Sequence, residues 1–227
     1  MNLAEWLART ARITPDAPAL FHGTQQMATY GEFGARSAAI AGALQRDYGV
    51  ARGDRVAIFM KNRTEYLEAS YGIWWSGAAA IPINAKLHPK EAAWIIENAQ
   101  ATAVFISDDV GEDLIREIDQ TNTKVISVDQ DSFQHMLKAE PLAEPVPIDA
   151  QDMVWLFYTS GTTGRPKGDD VLAKHPEHDV RLLCRHRHAH ARRRHALRSS
   201  HVSWCRDLQL HARCGRWQTR LSGLRRI

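Results

Sequence analysis

From Val56 to Phe157 the chain carries five short apolar-rich runs with little polar alternation: Val56–Met60, Ala78–Ile83, Ala103–Ile106, Lys124–Val128 and Met153–Phe157. A strand with one solvated face alternates apolar and polar residues, whereas a strand covered on both faces does not. Segments with helical spacing separate the runs: about Glu65 to Trp75, Pro89 through Trp94, Ile95 and Ile96, and Asp109 to Ile118. Pro89 suits a first helical turn, where a missing N–H costs little. Strand and helix exchanging over short connections predict an α/β fold, a mostly parallel layered sheet with helices. Pro82 counts against the second run as a strand, since proline gives the ladder no donor.

Two further helices precede this alternation. Leu3, Trp6, Leu7 and Thr10 share one helical face, and Pro15 ends that helix. Glu32 to Tyr48 places Phe33, Ile40, Ala41 and Leu44 together. Residues 139–151, with Pro141, Pro145 and Pro147, read as a linker into the last apolar run. No stretch of about 18 apolar residues is present, so no transmembrane helix is expected. The start, Met1 to Trp6, lacks the basic and apolar segments of a secretion signal. A cytoplasmic protein is the expectation.

Composition breaks sharply at Gly168. Residues 169–227 hold 14 of the 29 Lys and Arg but 5 of the 26 Asp and Glu, a net +9 against −6 for residues 1–168. The same tail carries 8 of the 11 histidines and all three cysteines. Residues 1–168 therefore have no disulfide framework.

The last apolar run leads directly into Tyr158-Thr159-Ser160-Gly161-Thr162-Thr163-Gly164-Arg165-Pro166-Lys167-Gly168. Its glycines allow close backbone approach to a ligand and positive φ. Its hydroxyls donate to phosphate oxygens. Successive backbone N–H groups in such a turn form an anion-binding concavity, to which Lys167 adds a point charge. Composition alone leaves a solvated turn equally open. The loop is neither the G-x-x-x-x-G-K-[ST] nor the G-x-G-x-x-G pattern.

As a whole, YTSGTTGRPKG resembles the phosphate loop of the adenylate-forming superfamily, the AMP-forming acyl-CoA synthetases and their relatives. Three upstream segments are similar to that family's elements: Thr29-Tyr30-Gly31-Glu32-Phe33, Gly53-Asp54-Arg55-Val56-Ala57, and Gly77-Ala78 followed by Ile81-Pro82-Ile83-Asn84. The resemblance covers residues 1–168 and implies an incomplete N-terminal portion of the adenylate-forming large domain. It implies ATP with Mg2+, a carboxylic acid as substrate and coenzyme A as co-substrate of the intact enzyme. Asn84 to His88 leans towards fatty or medium-chain acyl-CoA ligases. Thr159, Ser160, Gly161, Thr162, Thr163, Gly164 and Lys167 match the phosphate-binding motif position by position. The family's adenine pocket, magnesium-binding Glu, ribose-binding Asp and lobe with a catalytic Lys have no counterpart in residues 169–227, so no catalytic residue is expected to be retained. No metal ligand is assigned.

Three readings of the tail compete. Its Arg block would neutralise phosphates, as in a nucleic-acid-binding arm. Its His and Cys are metal ligands by type, although the cysteines lack C-x-x-C spacing. Surplus Arg, His, Cys and Trp also mark a GC-rich gene read out of frame. With free codon choice, a neighbouring frame over Cys184 to about Arg220 permits LYAAPMSHGAGIYN, similar to an acyl-CoA synthetase segment. Trp204 and Trp217, with one codon each, both force a glycine that fits. Residues 169–227 are thus expected to be an out-of-frame, disordered tail on an inactive ligase fragment. A nucleotide- or nucleic-acid-binding module is the alternative.

Overall fold

A computed structural model of the chain describes residues 1–159 and 167–173, all within one compact unit, Met1–Pro176. Helix α1 (Ala4–Ile13) is followed by two short strands, β1 (Pro18–His22) and β2 (Gln25–Thr29), paired as an antiparallel hairpin. No apolar run in the sequence marks this hairpin. Phe21 and Met27 are exposed in it, so it lacks the buried-face signature of a strand.

Helix α2 (Tyr30–Arg46) begins with a reciprocal cap. The Glu32 N–H donates to Thr29 Oγ1 at 3.3 Å, and the Thr29 N–H donates to Glu32 Oε2 at 2.8 Å. The Thr-Tyr-Gly-Glu-Phe segment is therefore a helix start, since such a box satisfies two otherwise orphaned donors. Gly31 lies against the next layer, where an added Cβ would stand 3.2 Å from Pro15 Cβ.

The remainder alternates as expected, with α6 and β8 added to the elements the sequence marks: β3 (Arg55–Phe59), α3 (Thr64–Trp75), β4 (Ala79–Pro82), α4 (Pro89–Asn98), β5 (Ala103–Ile106), α5 (Asp108–Ile115), β6 (Lys124–Ser127), α6 (Asp131–Leu137), β7 (Met153–Thr159) and β8 (Lys167–Leu172). Six of these strands form one sheet in the order β6-β5-β3-β4-β7-β8. The first five are mutually parallel, and β8 joins β7 antiparallel at the edge. Pro82 is tolerated because it is the last residue of its strand, beyond most of the ladder. Gly53 and Gly77 sit at the entries to β3 and β4 with φ of +86° and +81°, and the Gly53 N–H donates to the Gly77 carbonyl at 3.0 Å. Both turns require the left-handed conformation, which explains glycine in two of the motif segments.

Helices bury both faces of the sheet. On one side α4 and α5 bring Ala92, Ile95, Ile96 and Leu114 against Phe59, Ile81, Val104 and Leu156. Elsewhere in the core Trp74 of α3 stacks edge-on upon Trp155 of β7, with ring centres 4.8 Å apart, and its Nε1–H donates to the Val154 carbonyl at 2.8 Å. Glu68 of α3 is also buried, 2% exposed, and accepts from Arg36 of α2 at 2.9 Å. Burial pushes its carboxyl above the usual range, and Arg36 only partly offsets this.

Two expectations change. The proline-rich segment 139–151 contains no regular element, yet it is a strap rather than a free linker. The Leu142 N–H donates to the Ala38 carbonyl, the Val146 N–H to the Trp75 carbonyl, and Trp75 Nε1–H to the Leu142 carbonyl. Secondly, the boundary placed at Gly168 falls inside an element. Strand β8 runs through it, pairing Gly168 with Tyr158, Asp169 with Phe157 and Asp170 with Leu156. Residues 174–227 lie outside the described residues, as does the disorder expected of them.

Candidate functional site

Ligands of open parallel sheets gather outside the carboxyl ends of the strands. In this sheet the ends of β3, β5 and β6 differ from the end of β7. Where β3, β5 and β6 end, the chain places Lys61 and Arg63, then Ser107, Asp108 and Asp109, then Asp129. These groups satisfy one another. Lys61 pairs with Asp109 at 2.7 Å, and Arg63 pairs with Glu65 at 2.9 Å and with Asp129 at 2.7 Å. Ser107 Oγ donates to Asp109, Ser127 Oγ donates to Asp108, and the Asp108 N–H donates to Asp129.

The electrostatics follow from this pairing. Hydrogen bonds from Lys61 and Ser107 hold the Asp109 carboxyl below its ordinary range. Burial pushes Glu65 up, but Arg63, a backbone N–H and the Thr64 hydroxyl together bring it below its ordinary value. The Arg63 guanidinium is shifted upward, chiefly by Glu65. With two cations, both already paired, against four carboxylates, this mouth offers little to an incoming anion.

The carboxyl end of β7 is built differently. No Asp or Glu occurs between Asp152 and Asp169, while Arg165 and Lys167 supply two cations. Thr159 and Lys167 are paired across the β7–β8 ladder. Their backbones are held roughly 5 Å apart, the spacing of antiparallel partners, so residues 160–166 leave and re-enter the sheet at adjacent points. At the far end the Ala173 N–H donates to the Asp152 carbonyl at 2.9 Å, closing the hairpin. Of the residues assigned to phosphate binding, the structure places the backbones of Thr159 and Lys167 opposite each other at the loop's root. Ser160, Gly161, Thr162, Thr163 and Gly164 lie outside the described residues.

The root has supports that the sequence analysis missed. Tyr158 donates its hydroxyl proton to Asn98 Oδ1 at 2.7 Å, and its ring meets Trp94 edge-on with centres 6.2 Å apart. A Cβ on Gly168 would stand 3.1 Å from Leu156 Cδ1 and 3.4 Å from Tyr158 Cζ, so this position favours the residue without a side chain. Asn98 and Trp94 carry no mark in the sequence, because their relation to Tyr158 spans 60 and 64 residues. Among the described residues no group of three or more His, Cys, Asp or Glu could hold a metal ion, and no helix is long and apolar enough to cross a membrane.

Comparison with known proteins gives a consistent picture. The profile of the family described as AMP-binding enzyme matches residues 7–198, thirty residues beyond the compositional break. A 2-succinylbenzoate–CoA ligase from Bacillus velezensis is 33% identical over 163 residues, covering 72% of this chain and 32% of that protein. A long-chain fatty acid–CoA ligase from Mycobacterium tuberculosis is 31% identical over 172 residues, covering 74% and 34%. Among solved structures, the inhibitor-bound N-terminal domain of FACL13 from Mycobacterium tuberculosis superposes with a TM-score of 0.66 and 28% identity, covering 76% of this chain and 44% of that one. The chain spans about a third of the length of the curated relatives it matches.

Proposed function

The chain belongs to the AMP-binding enzyme family, and from that premise we propose that it is the front part of an ATP-dependent acid–thiol ligase. In the reaction of the intact enzyme, a carboxylate oxygen attacks the α-phosphorus of ATP and expels pyrophosphate, leaving an acyl-adenylate. A thiol, that of coenzyme A, then attacks the acyl carbon and expels AMP. The carrying observation is the β7–β8 hairpin. It brings Thr159 and Lys167, the two ends of a Gly, Ser and Thr segment free of carboxylates, together at the carboxyl end of a parallel strand, in a chain that matches this family.

The loop's part would be to hold the β- and γ-phosphates through backbone N–H groups, hydroxyls and Lys167. Thr159, Ser160, Gly161, Thr162, Thr163, Gly164 and Lys167 are the residues assigned to it. ATP is the substrate they fit, since each supplies a donor or room for close backbone approach. Mg2+ would accompany the nucleotide and neutralise part of its charge.

The acid is not fixed by this portion of the chain. Relatives of nearly equal identity are named for 2-succinylbenzoate and for long-chain fatty acids, so the leaning towards fatty acids rests on Asn84 to His88 alone.

For residues 169–227 we retain the out-of-frame reading. The gene's nucleotide sequence tests it: a ligase remainder encoded in the adjacent frame supports the reading, and its absence overturns it. The chain alone is expected to release no pyrophosphate when given ATP and carboxylic acids, and steady turnover would refute an inactive fragment. Binding is tested separately by titrating the chain with magnesium pyrophosphate. Saturable binding, lost in Lys167→Ala, supports the phosphate role; no binding overturns it for this chain.

A further inference from the structure

Tyr158 touches three parts of the molecule at once. It belongs to β7, one residue before the loop begins. Its ring lies across the ladder from Gly168 of β8, close enough that a Cβ there would press on Cζ at 3.4 Å. Its far end reaches α4, where the hydroxyl donates to Asn98 and the ring edge meets Trp94. Both arms flanking residues 160–166 are thereby referenced to a helix packed in the core through Ala92, Ile95 and Ile96. Among the described residues the hairpin pairs with the sheet only through β4, and a hairpin so placed is otherwise free to twist about its own axis.

We propose that Asn98 and Trp94 are positioning residues for the phosphate-binding segment, acting through Tyr158 to fix the ends of β7 and β8 that flank it. The inference rests on the reading of that loop as a polyphosphate site. Its physical basis is preorganisation: donors already aimed at an anion bind it more tightly than donors that must first be ordered. Asn98 is exposed and makes this contact at the end of its helix, so its truncation leaves the core intact.

The test is calorimetric titration of the full chain with magnesium pyrophosphate. Asn98→Ala and Tyr158→Phe are each expected to weaken binding about fivefold, the scale of one neutral hydrogen bond, without lowering Tm. The double variant is expected to lose no more than either single one. Asn98→Asp retains the acceptor and is expected to restore the affinity at elevated salt, where its added charge is screened. Amide hydrogen exchange over 153–159 and 167–172 is expected to quicken in Asn98→Ala. Unchanged affinity in the single variants, or losses that add in the double, would overturn the positioning role while the loop reading stands. A wild-type chain that binds no pyrophosphate would instead strike the loop reading, and the inference with it.

Discussion

The two mouths of the sheet occupy equivalent places, at the carboxyl ends of parallel strands, and the chain treats them oppositely. Beside β3, β5 and β6, two cations meet four carboxylates: Lys61 pairs with Asp109, Arg63 pairs with Glu65 and Asp129, and Asp108 accepts from Ser127. Beside β7 the chain withholds carboxylates from 153 to 168 and supplies glycines, hydroxyls, Arg165 and Lys167. The lesson is that position in the fold is permissive, and the local supply of charge distinguishes the two mouths. The mouth beside β3, β5 and β6 has spent its cations on internal partners.

The hardest blow to this contrast would come from below the loop. Trp74→Ala removes the ring stacked on Trp155 and the donor to the Val154 carbonyl. It is expected to cost about 3–5 kcal/mol, as for large core truncations, measured by urea unfolding. It would uncouple β7 from α3 and take the loop's footing with it.

Charge removal at each mouth tests the contrast directly. Lys167→Ala is expected to weaken magnesium pyrophosphate binding by at least about tenfold, the scale of a charge-assisted contact, with no change in Tm. Lys61→Ala, at the mouth beside β3, β5 and β6, is expected to leave that affinity unaltered. Equal losses in the two variants would erase the distinction.

Within the mouth beside β3, β5 and β6, Arg63→Ala is expected to lower stability by only about 1 kcal/mol, because its partners are partly solvated. The loss should shrink as salt is raised, which denaturation at two ionic strengths would check.

The smallest expected effect separates surface pairing from buried pairing. The folded carboxyl of Glu68 lies above its ordinary value, so between those two values the folded state holds more proton than the unfolded one. Its contribution to stability is therefore full below the ordinary carboxyl range and is lost as pH rises through the shifted value. Glu68→Gln is expected to flatten this part of the stability–pH curve, seen as a Tm that falls less on going from acid to neutral pH. A steeper fall in the variant would contradict the burial argument.

Much of this was legible in the residues because it is local. Apolar runs of four or five residues, a proline at a helix start and helical spacing depend on neighbours a few positions away. So does a loop dense in Gly, Ser and Thr. Hence α1 to α5 and β3 to β7 could be read directly. The β1–β2 hairpin and α6 escaped because the first exposes Phe21 and Met27, and the second, Asp131–Leu137, is too short to show a period. Strand β8, which crosses the compositional break at Gly168, also escaped, because composition is averaged over tens of residues whereas pairing with β7 is decided residue by residue.

What tertiary structure alone decided is the arrangement among distant segments. The order β6-β5-β3-β4-β7-β8 sets which strand ends become neighbours, and so which charges meet. The partnership of Tyr158 with Asn98 and Trp94 arises only once α4 has packed on the sheet. The sequence determined what each segment could be, because propensity and periodicity act over a few residues. Which segments touch depends on surfaces formed only after those elements exist, and no short window of the chain contains them.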